Sequence, residues 1–113
     1  MKIKSMPEEE RPVEKAVLTG VQTLSNAELL AVILGSGTKE KSAIGLAEDV
    51  LARDAGGIAY LAECTIQELM KISGVGPFKA VRILASVELG KRIATRPKTK
   101  RLAVDDADKV ADL

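Results

Sequence analysis

Apolar residues recur every three or four positions along most of this chain, and short glycine-bearing runs interrupt the recurrence. That pattern spells short helices joined by turns. Leu69 and Ile72 give one segment an apolar side, and Ala80, Ile83, Leu84 and Val87 give the next segment another. Between them stands Gly74-Val75-Gly76-Pro77. Both glycines are open to positive φ, Val75 is the apolar plug of the turn, and Pro77, whose missing N–H is no loss at a first helical position, starts the second helix. Ser25-Asn26-Ala27-Glu28-Leu29-Leu30 and Thr65-Ile66-Gln67-Glu68-Leu69-Met70 both read as capping boxes, in which Ser or Thr accepts from the N3 amide and Glu reaches back to the cap N–H. After the first box come Ala31-Val32-Ile33-Leu34, a turn at Gly35-Ser36-Gly37-Thr38 enlarged by Lys39-Glu40-Lys41, and an amphipathic helix carrying Ile44, Leu46, Ala47, Val50 and Leu51.

The order of capped helix, glycine turn and helix thus occurs twice. Ala55-Gly56-Gly57 breaks the chain between the copies, and Ile58 to Glu63 predicts a short connecting helix. The expected architecture is all-α, a five-helix double helix-hairpin-helix bundle similar to the sterile-alpha-motif-like domains and to domain 2 of RuvA. Residues 1–20 form an N-terminal extension, extended up to Arg11-Pro12 and then helical from Val13 to Thr19 until Gly20. Residues 21–95 are the double hairpin domain, and 96–101 a basic, proline-broken linker. In 102–113, Leu102-Ala103-Val104 leads to a helix opening at Asp105 or Asp106, the start of a truncated C-terminal domain.

Length allows one small domain: 113 residues, 46% of them apolar. Tyr60 and Phe78 are the only aromatic residues, so the core is Leu, Ile, Val and Ala, and base-stacking platforms for single strands are not expected. The net charge of +1 hides an asymmetry. Residues 1–70 carry seven Lys/Arg against eleven Asp/Glu, residues 71–101 nine against one, and residues 102–113 one against four. A cationic block in and after the second hairpin is the footprint expected of a polyanion-binding surface. There is no histidine and one cysteine, Cys64, so a disulfide framework and a His/Cys zinc cluster are excluded within the chain. The N-terminal run MKIKSMPEEERP has no apolar core for a signal peptide, and no stretch approaches membrane-spanning length, so the expectation is a cytoplasmic protein with no membrane partner.

The candidate chemistry is phosphate binding. A hairpin at Gly74, Val75 and Gly76 leaves the amides of Val75, Gly76 and Phe78 at an open helix N-terminus, and glycine lets a phosphate oxygen approach. Lys79 and Arg82 follow, three apart. The segment resembles the hairpin with which many repair and recombination proteins hold the DNA backbone without reading sequence. Gly35, Gly37, Thr38, Lys39, Lys41 and Ser42 are a second, weaker candidate of the same kind. They are not a nucleotide-binding loop, because Glu40 stands where that loop needs glycine directly before Lys-Ser. The alternative is that both turns only pack. A glycosylase reading lacks its acid, since no Asp lies between Asp54 and Asp105, and Glu88 is placed to pair with Arg92. No nucleophile–histidine system can exist, so no catalytic residue is expected.

Arg11-Pro12-Val13-Glu14-Lys15, Leu24-Ser25-Asn26-Ala27-Glu28-Leu29-Leu30-Ala31, Leu34-Gly35-Ser36-Gly37-Thr38-Lys39, Lys41-Ser42 and Gly74-Val75-Gly76-Pro77-Phe78-Lys79-Ala80 together resemble the N-terminal helix-hairpin-helix domain of the bacterial RadC family, historically called DNA repair proteins. The resemblance runs from about residue 11 to residue 113. It implies DNA as partner and, in the full-length protein, a following metallopeptidase-like domain of the JAB/MPN class with a zinc site built from His-x-His, Asp and Glu. Residues 105–113 resemble the opening helix of that domain. The histidines are absent, so zinc and hydrolase chemistry are not carried onto any residue here, and no cofactor is expected in this chain. The alternative function is a helical docking or regulatory module for that domain, with no DNA role.

Overall fold

The computed structural model describes residues 11–96, and among them every regular element is helical. The order is α1 (Arg11–Thr19), a 3-10 turn (Val21–Thr23), α2 (Asn26–Leu34), α3 (Ala43–Leu51), a 3-10 segment (Gly57–Ala62), α4 (Ile66–Met70) and α5 (Pro77–Ala94). The basic linker beyond Arg96 and the expected helix at 105–113 lie outside the described residues.

Both capping boxes open helices. Ser25 Oγ accepts the Glu28 amide at 3.1 Å while Glu28 Oε1 accepts the Ser25 amide at 2.8 Å, and Thr65 and Glu68 repeat the arrangement at 3.1 and 2.8 Å. Gly35 closes α2 at φ +82°, its amide donating to the Ala31 carbonyl, and Gly20 ends α1 at φ +95°. Two positions differ from expectation. The first helix already includes Arg11 and Pro12, with Pro12 buried. The connector Gly57–Ala62 is a tighter 3-10 segment.

α2 and α3 pack against each other across the Gly35–Ser42 loop, and α4 and α5 do so across Lys71–Gly76. They share one core. Leu30, Ala31 and Leu34 of α2 and Ala43, Leu46, Ala47 and Val50 of α3 meet Leu69, Ile72, Val75, Ala80 and Ile83 of the second pair. Val75 is buried as the plug of its turn. The ends of the core are tied by cations on carbonyls: Lys91 Nζ donates to Ala62 O at 3.0 Å, and Arg82 Nη1 donates to Leu34 O at 3.1 Å.

α1 is held to α2 by Lys15 Nζ, 3.1 Å from Glu28 Oε1. Glu28 therefore serves two elements. Its carboxyl titrates below the ordinary value of 4.5, first through the Ser25 amide it accepts and then through the Lys15 ammonium. A carboxyl lowered on folding stabilises the folded state above its unfolded pKa and loses that contribution as pH falls through the folded value. Glu28→Gln is thus expected to be less stable than the parent at neutral pH, with the gap closing as the pH falls through the lowered pKa of Glu28. Urea midpoints of the two proteins across that range are the check; a gap that persists unchanged in acid would assign the effect to hydrogen-bond shape rather than charge.

Candidate nucleic-acid interface

The second turn is built by one glycine and exposed by the other. Gly74 takes φ +95°, the left-handed conformation, and Val75 N–H donates to Ile72 O at 3.0 Å to close the turn. Gly76 instead has φ −92° and ψ −171°, extended backbone open to any residue. Positive φ was expected at either glycine, and only Gly74 has it. The Val75 amide, expected to be free for a ligand, is spent inside the turn.

Gly76 is the N-cap of α5 and supplies no side-chain cap, with Pro77 as the first helical residue. The Phe78 and Lys79 amides belong to the first helical turn, whose N–H groups have no intrahelical acceptor. α5 is 18 residues long, so a partial positive charge gathers at this end. A Cβ placed on Gly76 would meet nothing within 4 Å. The phenyl ring of Phe78 stands in solvent, and the stem of Lys79 is half-buried. Arg82 does not join Lys79 as a free cation, because its guanidinium caps the C-terminal carbonyl end of α2 at Leu34.

The first turn is more closed. Thr38 N–H donates to Lys41 O at 2.7 Å, and Thr38 Oγ1 accepts the amides of Glu40 and Lys41 at 3.2 and 3.1 Å. Ser42 is the N-cap of α3, its Oγ accepting Gly45 N–H at 3.1 Å. Lys41 Nζ pairs with Asp49. Thr38, Lys41 and Ser42 are thus employed in holding the loop, and Lys39 remains an exposed cation. Gly35 lies against Arg82: a Cβ there would be 3.1 Å from Nη1.

The fold brings the two turns side by side. A Cβ on Gly74 would sit 3.0 Å from Thr38 Cγ2 and 3.1 Å from Leu46 Cδ1. A cleft of about 240 Å³ runs between the turns, lined by Thr38, Glu40, Lys41, Asp49, Ser73 and Gly74. Of its two carboxylates, Glu40 and Asp49, the second is paired with Lys41, so the cleft carries no net positive charge. Lys71, just before the second turn, is a further exposed cation that spacing arguments around Pro77 passed over. Its place in the basic block from residue 71 onward was the available signal.

Among the described residues no three His, Cys, Asp or Glu side chains gather as a metal site, and no helix is long and apolar enough to cross a membrane. Burial pushes the Cys64 thiol above its ordinary pKa, with the Glu68 carboxylate adding to the effect.

The chain is 49% identical over 113 residues to the UPF0758 protein of Alkaliphilus oremlandii, covering 100% of this chain and 49% of that one. It is 50% identical over 111 residues to the UPF0758 protein of Alkaliphilus metalliredigens, covering 98% and 48%. With the UPF0758 protein of Clostridioides difficile the identity is 50% over 95 residues, covering 84% and 40%. The chain therefore spans about half the length of the curated relatives it matches. No solved structure matches it. The family model described as UPF0758 N-terminal matches residues 3–81, a span that takes in both glycine turns and the first turn of α5, and the chain accordingly belongs to the UPF0758 family.

Proposed function

We propose that this chain is a non-catalytic DNA-binding module, a double helix-hairpin-helix bundle like the N-terminal domain of RadC-type repair proteins, acting in the bacterial cytoplasm and gripping phosphates without reading bases. The observation that carries the reading is Gly76. Its backbone angles suit any residue and its Cβ direction is empty, so neither explains a glycine. A phosphate oxygen approaching the amides of Gly76, Phe78 and Lys79 does need that bare backbone. Lys79 adds charge beside it, and Lys71 and Lys39 extend the cationic surface toward the first turn. With no histidine and one thiol, any zinc-dependent hydrolysis is left to the other half of the longer relatives.

A small footprint of two to four phosphates gives log K against log salt a slope of roughly −2 to −4, at about 0.9 per phosphate. Fluorescence anisotropy of a labelled duplex at several salt concentrations reads this slope. Gly76→Ala and Lys79→Ala should each weaken binding at low salt, alike for unrelated sequences, while melting temperatures stay near the parent's. Arg82→Ala is unsuitable, because it uncovers the Leu34 carbonyl. Parent-level duplex binding by both variants would remove the turn from the reading, and an absence of binding at low salt would remove the reading itself.

The second reading is a docking module for the remaining half of the longer protein. It is favoured by an apolar groove of about 340 Å³ between α1 and α2, where Val13, Val17, Val21, Leu29 and Val32 are exposed. Such a module would show no salt-dependent duplex affinity.

A further inference from the structure

The chain has two aromatic residues, and the fold covers only one of them. Tyr60 is half-buried against the core, whereas Phe78 is 84% exposed, more than any other large apolar side chain among the described residues. A bare phenyl ring in water is unfavourable, and this one has a particular place. It is the second residue of α5, beside the amides of Gly76, Phe78 and Lys79. Helix side chains lean toward the helix N-terminus, so the ring extends toward the end where those amides point. Val81, three residues on and 49% exposed, continues the apolar surface from the ring along the same side of α5.

Such a ring is foreign to a site that holds phosphates alone. Anionic oxygens are met by cations, amides and hydroxyls, and a phenyl ring offers none of these. The flat apolar part of a nucleic acid is the face of a base. In a continuous duplex each base face is covered by its stacked neighbours, and driving a side chain between them costs unstacking free energy. At a gap or an open end a face is already bare. One ring cannot track a single strand, which takes a series of aromatic side chains, but it can cover one base.

Resting on the reading of Gly76 and α5 as a phosphate site, we infer that the DNA this chain prefers is duplex interrupted by a gap or ending in a bare base face. Phe78 stacks on that base while the amides of Gly76, Phe78 and Lys79 hold a neighbouring phosphate. Every base has a flat π face, so the preference is for the form of the DNA and not for its sequence.

Two duplexes of one sequence test this, both closed at each end by a non-nucleotide linker, one continuous and one lacking a single nucleotide in the middle. Fluorescence anisotropy with the full chain reads the ratio of their affinities at one low salt concentration. The gapped duplex should bind about tenfold more tightly, which is about 1.4 kcal/mol and within the range of one stacked base. Phe78→Ala should bring the ratio close to one, Phe78→Trp should keep or raise it, and Phe78→Leu, apolar without a flat face, should lose most of it. The side chain is exposed, so these variants should melt near the parent. Equal affinities in the parent, with continuous-duplex binding still weakened by salt, would overturn the inference and leave phosphate binding standing. No binding to either duplex would remove both. A ratio that survives Phe78→Ala would assign the preference to the flexibility of gapped DNA, and one that Phe78→Leu keeps in full would assign it to apolar contact without stacking; either overturns the inference.

Discussion

Gly37→Ala is expected to destabilise the domain by about 3 kcal/mol, lowering the melting temperature by about 15 °C. The cause is backbone against backbone. A Cβ on Gly37 would lie 2.1 Å from the Lys41 carbonyl oxygen, 2.5 Å from the Ser42 carbonyl carbon and 2.8 Å from the Ala43 nitrogen. No rotamer relieves such a contact. The loop that would have to open carries the Thr38 to Lys41 hydrogen bond and the Ser42 cap of α3, so its opening also uncovers the first turn of that helix. Gly76→Ala is the internal comparison: with nothing within 4 Å of its Cβ, it loses only the N-cap preference for glycine over alanine and should cost about 0.5–1 kcal/mol. Thermal melts of the two variants beside the parent decide it; a Gly37→Ala protein melting within about 2 °C of the parent would mean that the loop yields without cost to α3.

Leu46→Ala should cost about 3 kcal/mol, because Leu46 is fully buried and its removal leaves a cavity between the two helix pairs. Its partner across that boundary is Gly74. Gly74→Ala is itself strained by φ +95° and by contact with Leu46 Cδ1 at 3.1 Å. Shortening Leu46 removes that neighbour and leaves the φ strain, so the double variant should be less destabilised than the sum by about 0.5–1 kcal/mol. Urea midpoints around the four-protein cycle measure this. Strict additivity would show that the second turn is not seated on α3.

Local signals in the sequence were read correctly because each acts within a few residues. The Ser25 and Thr65 boxes, the Val75 plug, Pro77 as a helix start and the Glu88–Arg92 pair all follow from spacings of four or less. The all-helical architecture follows from the same short periods. Contacts that tertiary packing imposes were not legible. Arg82 looks like a free cation beside Lys79 until α2 ends 48 residues away with its Leu34 carbonyl in reach. Lys41 looks like a phosphate ligand until Asp49, one and a half turns into α3 and beyond, is found to hold it. Gly76 and Gly74 are alike in sequence, and only the closing hydrogen bond from Val75 to Ile72 distinguishes the glycine that bends from the glycine that is bare.

The Arg82 to Leu34 bond bears on how the two sequence copies relate to each other. Each copy supplies a capped helix, a turn and a second helix, which invites a view of two autonomous modules in tandem. Yet the carbonyl end of α2 is completed by a side chain of α5, and the buried faces of α2 and α3 have as their other wall Leu69, Ile72, Val75, Ala80 and Ile83. Cut between the copies, each fragment would present half a core and would fold only when mixed with the other. The repeat is a duplication of pattern within one cooperative unit, so a change in either turn is felt by the whole domain.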